Sequence, residues 1–142
     1  MARIIQTGDT PAKRRNANMR SCAEVLRLLA QRASFDDEAK DMTAFLIFNL
    51  REIYKIIDES AQAWDERNYW KKAEGLREKW RWTRIIADKL TKLVVANKWQ
   101  RVPETMFELI PHFQSITIVK LTRDADWWMG AHAALLKEQK EA

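Results

Sequence analysis

The sequence is short of the residues that build turns. Its 142 residues include 3 glycines and 3 prolines, and because turns and hairpins draw heavily on both, few turns can be present. The longest stretch without a charged side chain, residues 109–119, has 11 residues, where a membrane-spanning helix needs about 20. These scarcities predict a few long helices and exclude a transmembrane span.

Cysteine is almost absent as well. The lone Cys22 has no partner for an internal disulfide, and its position on the apolar side of a helical pattern predicts a packed thiol rather than a nucleophile. Residues 1–10 contain no apolar run of the kind that a secretory signal requires. A cytoplasmic protein is therefore expected.

Length and composition fit one domain. Hydrophobic residues make up 46% of the chain and charged residues 32%, which is typical of a globular domain. A chain of 142 residues can bury a core without a disulfide or a metal ion. We expect residues 1–11 to form a flexible basic arm and residues 12–142 to form a helical bundle domain.

Apolar residues recur at steps of three and four along most of the chain, the spacing of one helical face. The pattern predicts one long helix over about residues 12–33, a second that begins at a Ser34 cap and reaches Trp64, and a third over about residues 69–97. Between the second and third helices the chain either bends or runs on. The fold class is therefore all-α, a single-domain helical bundle of about five helices, three long and two or three short.

The C-terminal third contains two prolines and a β-branched run. Pro103 can occupy the first position of a short helix, and Pro111 predicts a break near Ile110. Ser115–Thr122 could be a strand by composition, but one strand without a partner is not a sheet, so we predict a buried helix there. A last helix is expected from about Arg123, capped by Thr122 or Asp124. The residues expected to face inward from it are Trp128, Leu135 and Leu136.

Motifs for catalysis or cofactor binding are missing. His112 and His132 lie in no Glu-x-x-His or His-x-x-x-His pair that would place two metal ligands on one helical face, and the glycines stand alone, so no phosphate-binding loop is present. We predict no catalytic residue, no metal ligand and no cofactor. One further hypothesis, a small metal-dependent helical enzyme, stays open because carboxylates form clusters. These clusters lie at residues 36–38, 58–59, 65–66 and 124–126.

The net charge of +5 conceals a strong contrast along the chain. Residues 1–34 carry seven basic and two acidic side chains, and residues 67–101 carry eleven and three. Residues 35–66 carry three basic and nine acidic side chains, and residues 102–142 carry four and six. The basic segments favour a polyanionic partner, although the acidic second segment can neutralise part of the basic third by packing against it.

Basic residues in the first helix follow a helical stripe. Lys13, Arg20 and Arg27 are spaced by seven, which places each within about 20° of the last, and Arg14 and Arg15 extend the stripe. In the third helix, Arg77, Arg81 and Arg84 share a face with Trp70, and Lys92 lies close to that face. Guanidinium groups bind phosphates. The residues predicted to bind nucleic acid are Lys13, Arg14, Arg15, Arg20, Arg27, Arg77, Arg81, Arg84 and Lys92.

Tryptophan is unusually frequent, with 7 residues, and Trp and Arg are enriched at interface hot spots. Trp64, Trp80 and Trp128 lie at core spacing. Trp82 lies about 160° around the helix from Trp80, so one of the two faces a partner or a second layer of helices. Trp70 and Trp82 are the predicted stacking or interface residues.

In length, helicity, basic faces and absence of catalytic motifs, the chain resembles the small helical subunits of CRISPR effector ribonucleoproteins. The resemblance implies a non-catalytic role in an antiviral ribonucleoprotein, with the backbone of RNA or single-stranded DNA and other protein subunits, copies of itself included, as partners. The alternative is a helical protein–protein interaction adaptor that binds no nucleic acid. Neither hypothesis involves a membrane.

Overall fold

The computed structural model describes residues 10–141, and helices account for most of them. Three long helices form the body of the domain: α1 (Pro11–Ala30), α2 (Asp37–Glu66) and α3 (Trp70–Val95). After a 3₁₀ turn (Trp99–Arg101) the chain forms α4 (Val102–Phe107), α5 (Ile110–Phe113), α6 (Ala125–Trp128) and α7 (Ala131–Glu141). Residues 10–141 contain no strand, so the predicted all-α domain with three long helices is confirmed.

The predicted basic arm falls almost wholly outside the described residues. Its last residue, Pro11, is already the first residue of α1, and the Thr10 side chain caps that helix by accepting a hydrogen bond from the Lys13 N–H. Proline suits this position because its missing N–H is one that a first helical turn leaves unpaired.

The central element is α2. It contacts α1 and α3 as well as α6 and α7, so its 30 residues are apolar over a wide arc rather than one narrow stripe. Phe45, Leu46, Leu50 and Ile53 are fully buried along it. Burial of this kind, at about 1.5–3 kcal/mol for each large side chain, supplies most of what holds a helical bundle together.

Local signals explain where the long helices begin and end. Asp36 caps α2 by accepting a hydrogen bond from the Ala39 N–H at 2.8 Å, so the predicted Ser34 cap is wrong by two residues. The chain bends between α2 and α3, where Asn68 has a φ of 66°, a left-handed conformation that Asn tolerates better than most residues. The short link makes α2 and α3 a helical hairpin.

The tryptophans divide differently from the prediction. Trp128 is buried, as expected, and Trp80 is partly buried against the core. Trp64 does not belong to the core: it lies near the end of α2, packed edge-on against Tyr69. Trp99 is buried, although the sequence pattern did not select it. The Cys22 thiol is fully buried, and burial raises its pKa, which confirms the packed thiol.

Residues 114–124 form neither a helix nor a strand, so the predicted buried helix over Ser115–Thr122 is wrong. We call this segment the strap. Its side chains alternate as in extended backbone: Ile116 and Ile118 are partly buried, and Thr117 and Val119 are exposed. β-Branched side chains are restricted in a helix, and side chains of α1 bind the backbone groups that a helix or sheet would otherwise pair.

The helices that follow the strap agree better with the prediction. Asp124 caps α6 through the Asp126 N–H, and Leu135 is fully buried on α7. Gly130, with a φ of 82°, makes the turn between α6 and α7, a conformation that glycine adopts without strain. No helix among residues 10–141 has both the length and the apolar character needed to cross a membrane.

Candidate functional site

The strap is held against α1 by the carboxylate of Glu24, whose side chain is fully buried. Glu24 Oε1 accepts hydrogen bonds from the backbone N–H of Thr122 at 2.6 Å and of Arg123 at 2.9 Å. Glu24 Oε2 accepts from the Thr122 hydroxyl at 2.8 Å and from Arg20 Nε at 2.7 Å. Buried ionised groups need this many partners. Sequence reasoning did not single out Glu24, because one acidic residue in a basic helix carries no recognisable signal.

Arg20 and Arg27, two members of the predicted basic stripe, also bind the strap. Arg20 Nη2 donates to the Lys120 carbonyl oxygen at 2.6 Å, and Arg27 Nη1 donates to the Ile118 carbonyl oxygen at 3.2 Å. Backbone outside a helix or sheet needs other donors for its carbonyls, and a guanidinium group presents five N–H bonds. Arg20 and Arg27 therefore help to hold the strap against α1, and a phosphate contact by the stripe stays a prediction.

The charge state of Glu24 depends on these contacts. Burial by itself would raise the pKa of this carboxyl, but the hydrogen bonds from Arg123, Arg20 and Thr122 outweigh it and lower the pKa from 4.5 to about 2. The carboxylate thus stays ionised in the folded protein well into acid.

Stability is expected to fall as the pH drops from 4.5 to 2. Since the pKa of Glu24 is lower in the folded than in the unfolded chain, its contribution is complete above about pH 4.5 and disappears as the pH falls through about 2. The loss is on the order of 3 kcal/mol. Urea denaturation at pH 6 and pH 2, for the wild type and Glu24→Gln, measures it, and the same pH dependence in both proteins would contradict the assignment.

The other predicted cations of α1 differ in exposure. Arg14 lies 3.8 Å from the Glu59 carboxylate, and the Arg15 guanidinium lies over the Trp80 ring at 5.1 Å from its centre. Lys13 is exposed, and its side chain forms no ion pair within residues 10–141. Of the five predicted α1 cations, Lys13 and Arg27 are thus the two that are exposed and pair with no carboxylate within residues 10–141.

On α3, Arg77 joins the acidic and basic segments. Its Nε lies 2.9 Å from Asp58 and its Nη2 lies 2.9 Å from Asp65, both on α2. These two hydrogen bonds raise the pKa of Arg77 above its ordinary value. The expected partial neutralisation of the basic third segment by the acidic second one therefore takes place at this bridge.

The remaining predicted cations of α3 are also mixed in their surroundings. Arg81 pairs with Glu78 one turn away, and Arg84 lies 5.9 Å from the centre of the Tyr54 ring. Lys92 is exposed and has no ion pair within the part of the chain that the structure describes. Arg77 and Arg81 are therefore paired with carboxylates, whereas Arg84 and Lys92 are exposed.

The two predicted stacking tryptophans have opposite surroundings. The Trp82 ring stacks on His112 with 3.8 Å between ring centres and meets Phe113 edge-on, so α5 forms the second helix layer beside it. Burial lowers the pKa of His112, which favours its neutral ring in this stack. Trp70 is 64% exposed at the start of α3. Only Trp70 is therefore open to a partner.

A different surface feature was not anticipated from the sequence. An apolar groove of about 590 Å³ lies between the C-terminal half of α1, the α1–α2 connection, α4, α5 and the strap. This feature is called the groove below. Buried side chains form its floor, and the strap contributes Ile116 and Ile118 to one wall. The floor residues are Ala23, Leu29, Ala39, Met106 and Phe113.

Two large apolar side chains lie at the groove and remain in water. Phe107 is 70% exposed and Ile110 is 45% exposed, and both line the groove. Exposed apolar patches beside a concave surface are typical of binding sites. Two apolar pairs between Pro103 and Pro111, Met106–Phe107 and Leu109–Ile110, were the available sequence signal. Short helices around prolines do not show which face becomes buried.

The carboxylate clusters have partners of other kinds. Asp58 and Asp65 bind Arg77, Asp36 caps α2, and Asp124 caps α6. Among residues 10–141, no three His, Cys, Asp or Glu side chains come close enough to hold a metal ion. The groove, with its exposed apolar side chains, is the candidate site that the described residues offer.

Comparison of the chain with protein-family models, with curated proteins and with solved structures found no match. Its function is therefore inferred from its own geometry.

Proposed function

We propose that this chain is a non-catalytic helical module that binds an apolar segment of a protein partner in the groove. The observation that carries the proposal is the exposure of Phe107 and Ile110 at a groove whose floor is already built from buried core residues. Exposure of the Phe107 side chain to water is unfavourable in the free protein. Covering it on binding is favourable by about 25 cal/mol for each Å² of apolar surface buried.

The shape of the site supports a protein segment as the occupant. A small molecule inside the groove would leave most of Phe107 in water, because that side chain is 70% exposed. A polypeptide lying along the groove can cover both Phe107 and Ile110 while placing one anchor side chain inside. Interfaces commonly concentrate their binding energy in such anchors.

Nucleic-acid binding and the resemblance to CRISPR small subunits stay predictions. Arg14, Arg20, Arg77 and Arg81 form ion pairs inside the domain, so the support for a phosphate-binding surface is weaker than the sequence indicated. The predicted contacts that remain exposed are Lys13, Arg27, Arg84, Lys92 and Trp70.

Substitution of Phe107 by glutamate is expected to weaken partner binding at least thirtyfold, because a charge would replace the most exposed large apolar side chain at the groove. A partner captured from an extract of the source organism is identified by mass spectrometry, purified and titrated by calorimetry. The matched control is Ile85→Glu, since Ile85 is 47% exposed on α3 and does not line the groove. The control is expected to change the affinity less than threefold.

Two outcomes would reject the proposal. The first is a purified partner that binds Phe107→Glu and the wild type with the same affinity. The second is binding of single-stranded RNA, unaffected by Phe107→Glu, with log affinity falling by about 0.7 for each phosphate contacted per tenfold increase in salt. The second result, lost in a Lys13→Ala, Lys92→Ala, Trp70→Ala variant, would restore the nucleic-acid hypothesis.

A further inference from the structure

We infer that the partner segment carries a carboxylate beside its apolar anchor, and that Arg27 pairs with this carboxylate at the edge of the groove. This inference rests on the proposed function and adds the chemistry by which the groove would select its partner. It concerns one exposed guanidinium group whose surroundings differ from those of the other arginine in the groove.

The charged side chains that line the groove are both arginines, Arg27 and Arg32, and no aspartate or glutamate is among the lining residues. The other polar side chains that line it, Ser34 and Gln114, are neutral. The groove is therefore complementary to a ligand with an apolar body and a negative charge.

The two arginines differ in how far their charge is already balanced. Arg32 donates to Asp36 Oδ1 at 3.0 Å and also pairs with Glu38, so its charge is shared with two carboxylates. Arg27 donates one bond to the Ile118 carbonyl oxygen and pairs with no carboxylate within residues 10–141. A neutral carbonyl leaves the full positive charge of Arg27 and its other N–H donors for a ligand.

The geometry places this charge next to apolar contacts. Leu26 and Ala30 are neighbours of Arg27 on α1 and line the same groove. A carboxylate that approaches Arg27 therefore also brings apolar atoms of its own chain against the groove. An Asp or Glu close to a Phe, Leu or Trp anchor in a peptide satisfies both requirements, and a charge-assisted hydrogen bond in partly desolvated surroundings gives selectivity.

The test uses peptides selected from a displayed random library on the full chain. Peptides that need the groove are recognised by weaker binding to Phe107→Glu. We expect these peptides to be enriched in Asp or Glu near an aromatic or aliphatic anchor. Replacing that acidic residue by its amide should weaken binding to the wild type about fivefold and leave binding to Arg27→Gln unchanged.

Arg27→Gln is the suitable variant because it removes the charge but retains an N–H group for the Ile118 carbonyl. Arg27→Lys is the companion variant: it keeps the charge, so the acidic peptide should retain most of its advantage over the amide peptide. Equal melting temperatures of the three proteins are the control for intact folding. If Arg27→Gln melts lower, salt titration of the acidic and amide peptides on the wild type and Arg27→Lys takes its place, because added salt should weaken the acidic peptide more than the amide peptide.

The possible outcomes distinguish the role of Arg27 from the function proposed for the groove. Groove-dependent peptides with no acidic enrichment, or an amide substitution that costs the same on the wild type and Arg27→Gln, would overturn the role of Arg27 while leaving the groove as the binding site. A selection in which every peptide binds Phe107→Glu as well as the wild type would overturn the proposed function itself. Dodecanoate binding to the groove, in the absence of any groove-dependent peptide, would assign the carboxylate to a lipid and overturn the peptide as occupant.

Discussion

Replacing Glu24 with glutamine is expected to lower the free energy of unfolding by about 3–5 kcal/mol, the cost of removing one charge from a buried, hydrogen-bonded ionic cluster. Glu24 is fully buried and receives hydrogen bonds from Thr122, Arg123 and Arg20. The amide has the size of the carboxylate, but its –NH₂ group would face donors instead of accepting from them. Arg123, itself 12% exposed, would lose its nearby counter-charge.

Urea denaturation at neutral pH measures this loss through the midpoint and slope of the transition. The matched control is Glu59→Gln, because Glu59 is 50% exposed and lies 3.8 Å from Arg14. An exposed pair of this kind contributes at most about 1 kcal/mol. If Glu24→Gln costs no more than this control, the strap is not held by Glu24. Faster amide exchange at Thr122 and Arg123 would show that the strap is the segment released.

Substitution of Trp128 by alanine is the second change with a large expected effect, about 3–5 kcal/mol of unfolding free energy. Its ring is buried, lies 6.2 Å from the centre of the Phe45 ring, and donates through Nε1 to Glu38 at 3.3 Å. Alanine would remove the side chain that packs α6 onto α2. A cavity next to Phe45 would remain, and Glu38 would lose the indole donor.

Trp70→Ala is the control for the same change of residue type. Trp70 is 64% exposed, and exposed positions away from caps and cores usually change stability by less than about 0.5 kcal/mol. Thermal unfolding of both variants gives the comparison. Similar losses at the two positions would mean that Trp128 is not the core anchor that its contacts indicate. Trp128→Phe, which keeps a ring but not the N–H, should recover most of the loss.

The exposure of each tryptophan could not be predicted from the sequence, because the chain has seven tryptophans and a small core cannot bury all of them. Periodicity on a single helix shows which residues share a face. It does not show which part of that face a neighbouring element covers. Trp64 and Trp128 both lie at core spacing, but Trp64 lies near the α2–α3 turn and Trp128 lies against Phe45.

The contacts of the basic stripe on α1 could not be predicted from its spacing either. The spacing of Lys13, Arg20 and Arg27 placed them correctly on one side of a helix. Their use depends on residues about 90 to 100 positions later, since Arg20 and Arg27 donate to the carbonyls of Lys120 and Ile118. A side chain that could bind phosphate can equally bind backbone carbonyls, and only the approach of the strap decides between them.

The groove is the feature of the candidate site that was least predictable from the sequence. Its lining comes from α1, the α1–α2 connection, α4, α5 and the strap, so no single periodic pattern outlines it. Short helices around Pro103 and Pro111 contribute Met106 to the floor and Phe107 to the edge. Residues that are neighbours along the chain thus have opposite exposure for reasons that are wholly tertiary.

By itself, the sequence determined the helical class, the three long helices and the burial of Cys22, because these follow from local hydrogen bonding, helix periodicity and the scarcity of glycine and proline. Only the tertiary structure decided that Ser115–Thr122 is neither helix nor strand, which arginines remain available and where an apolar groove opens. The physical reason is that periodicity acts within one helix, whereas hydrogen-bond partners and covered surface are assigned between elements far apart in the chain.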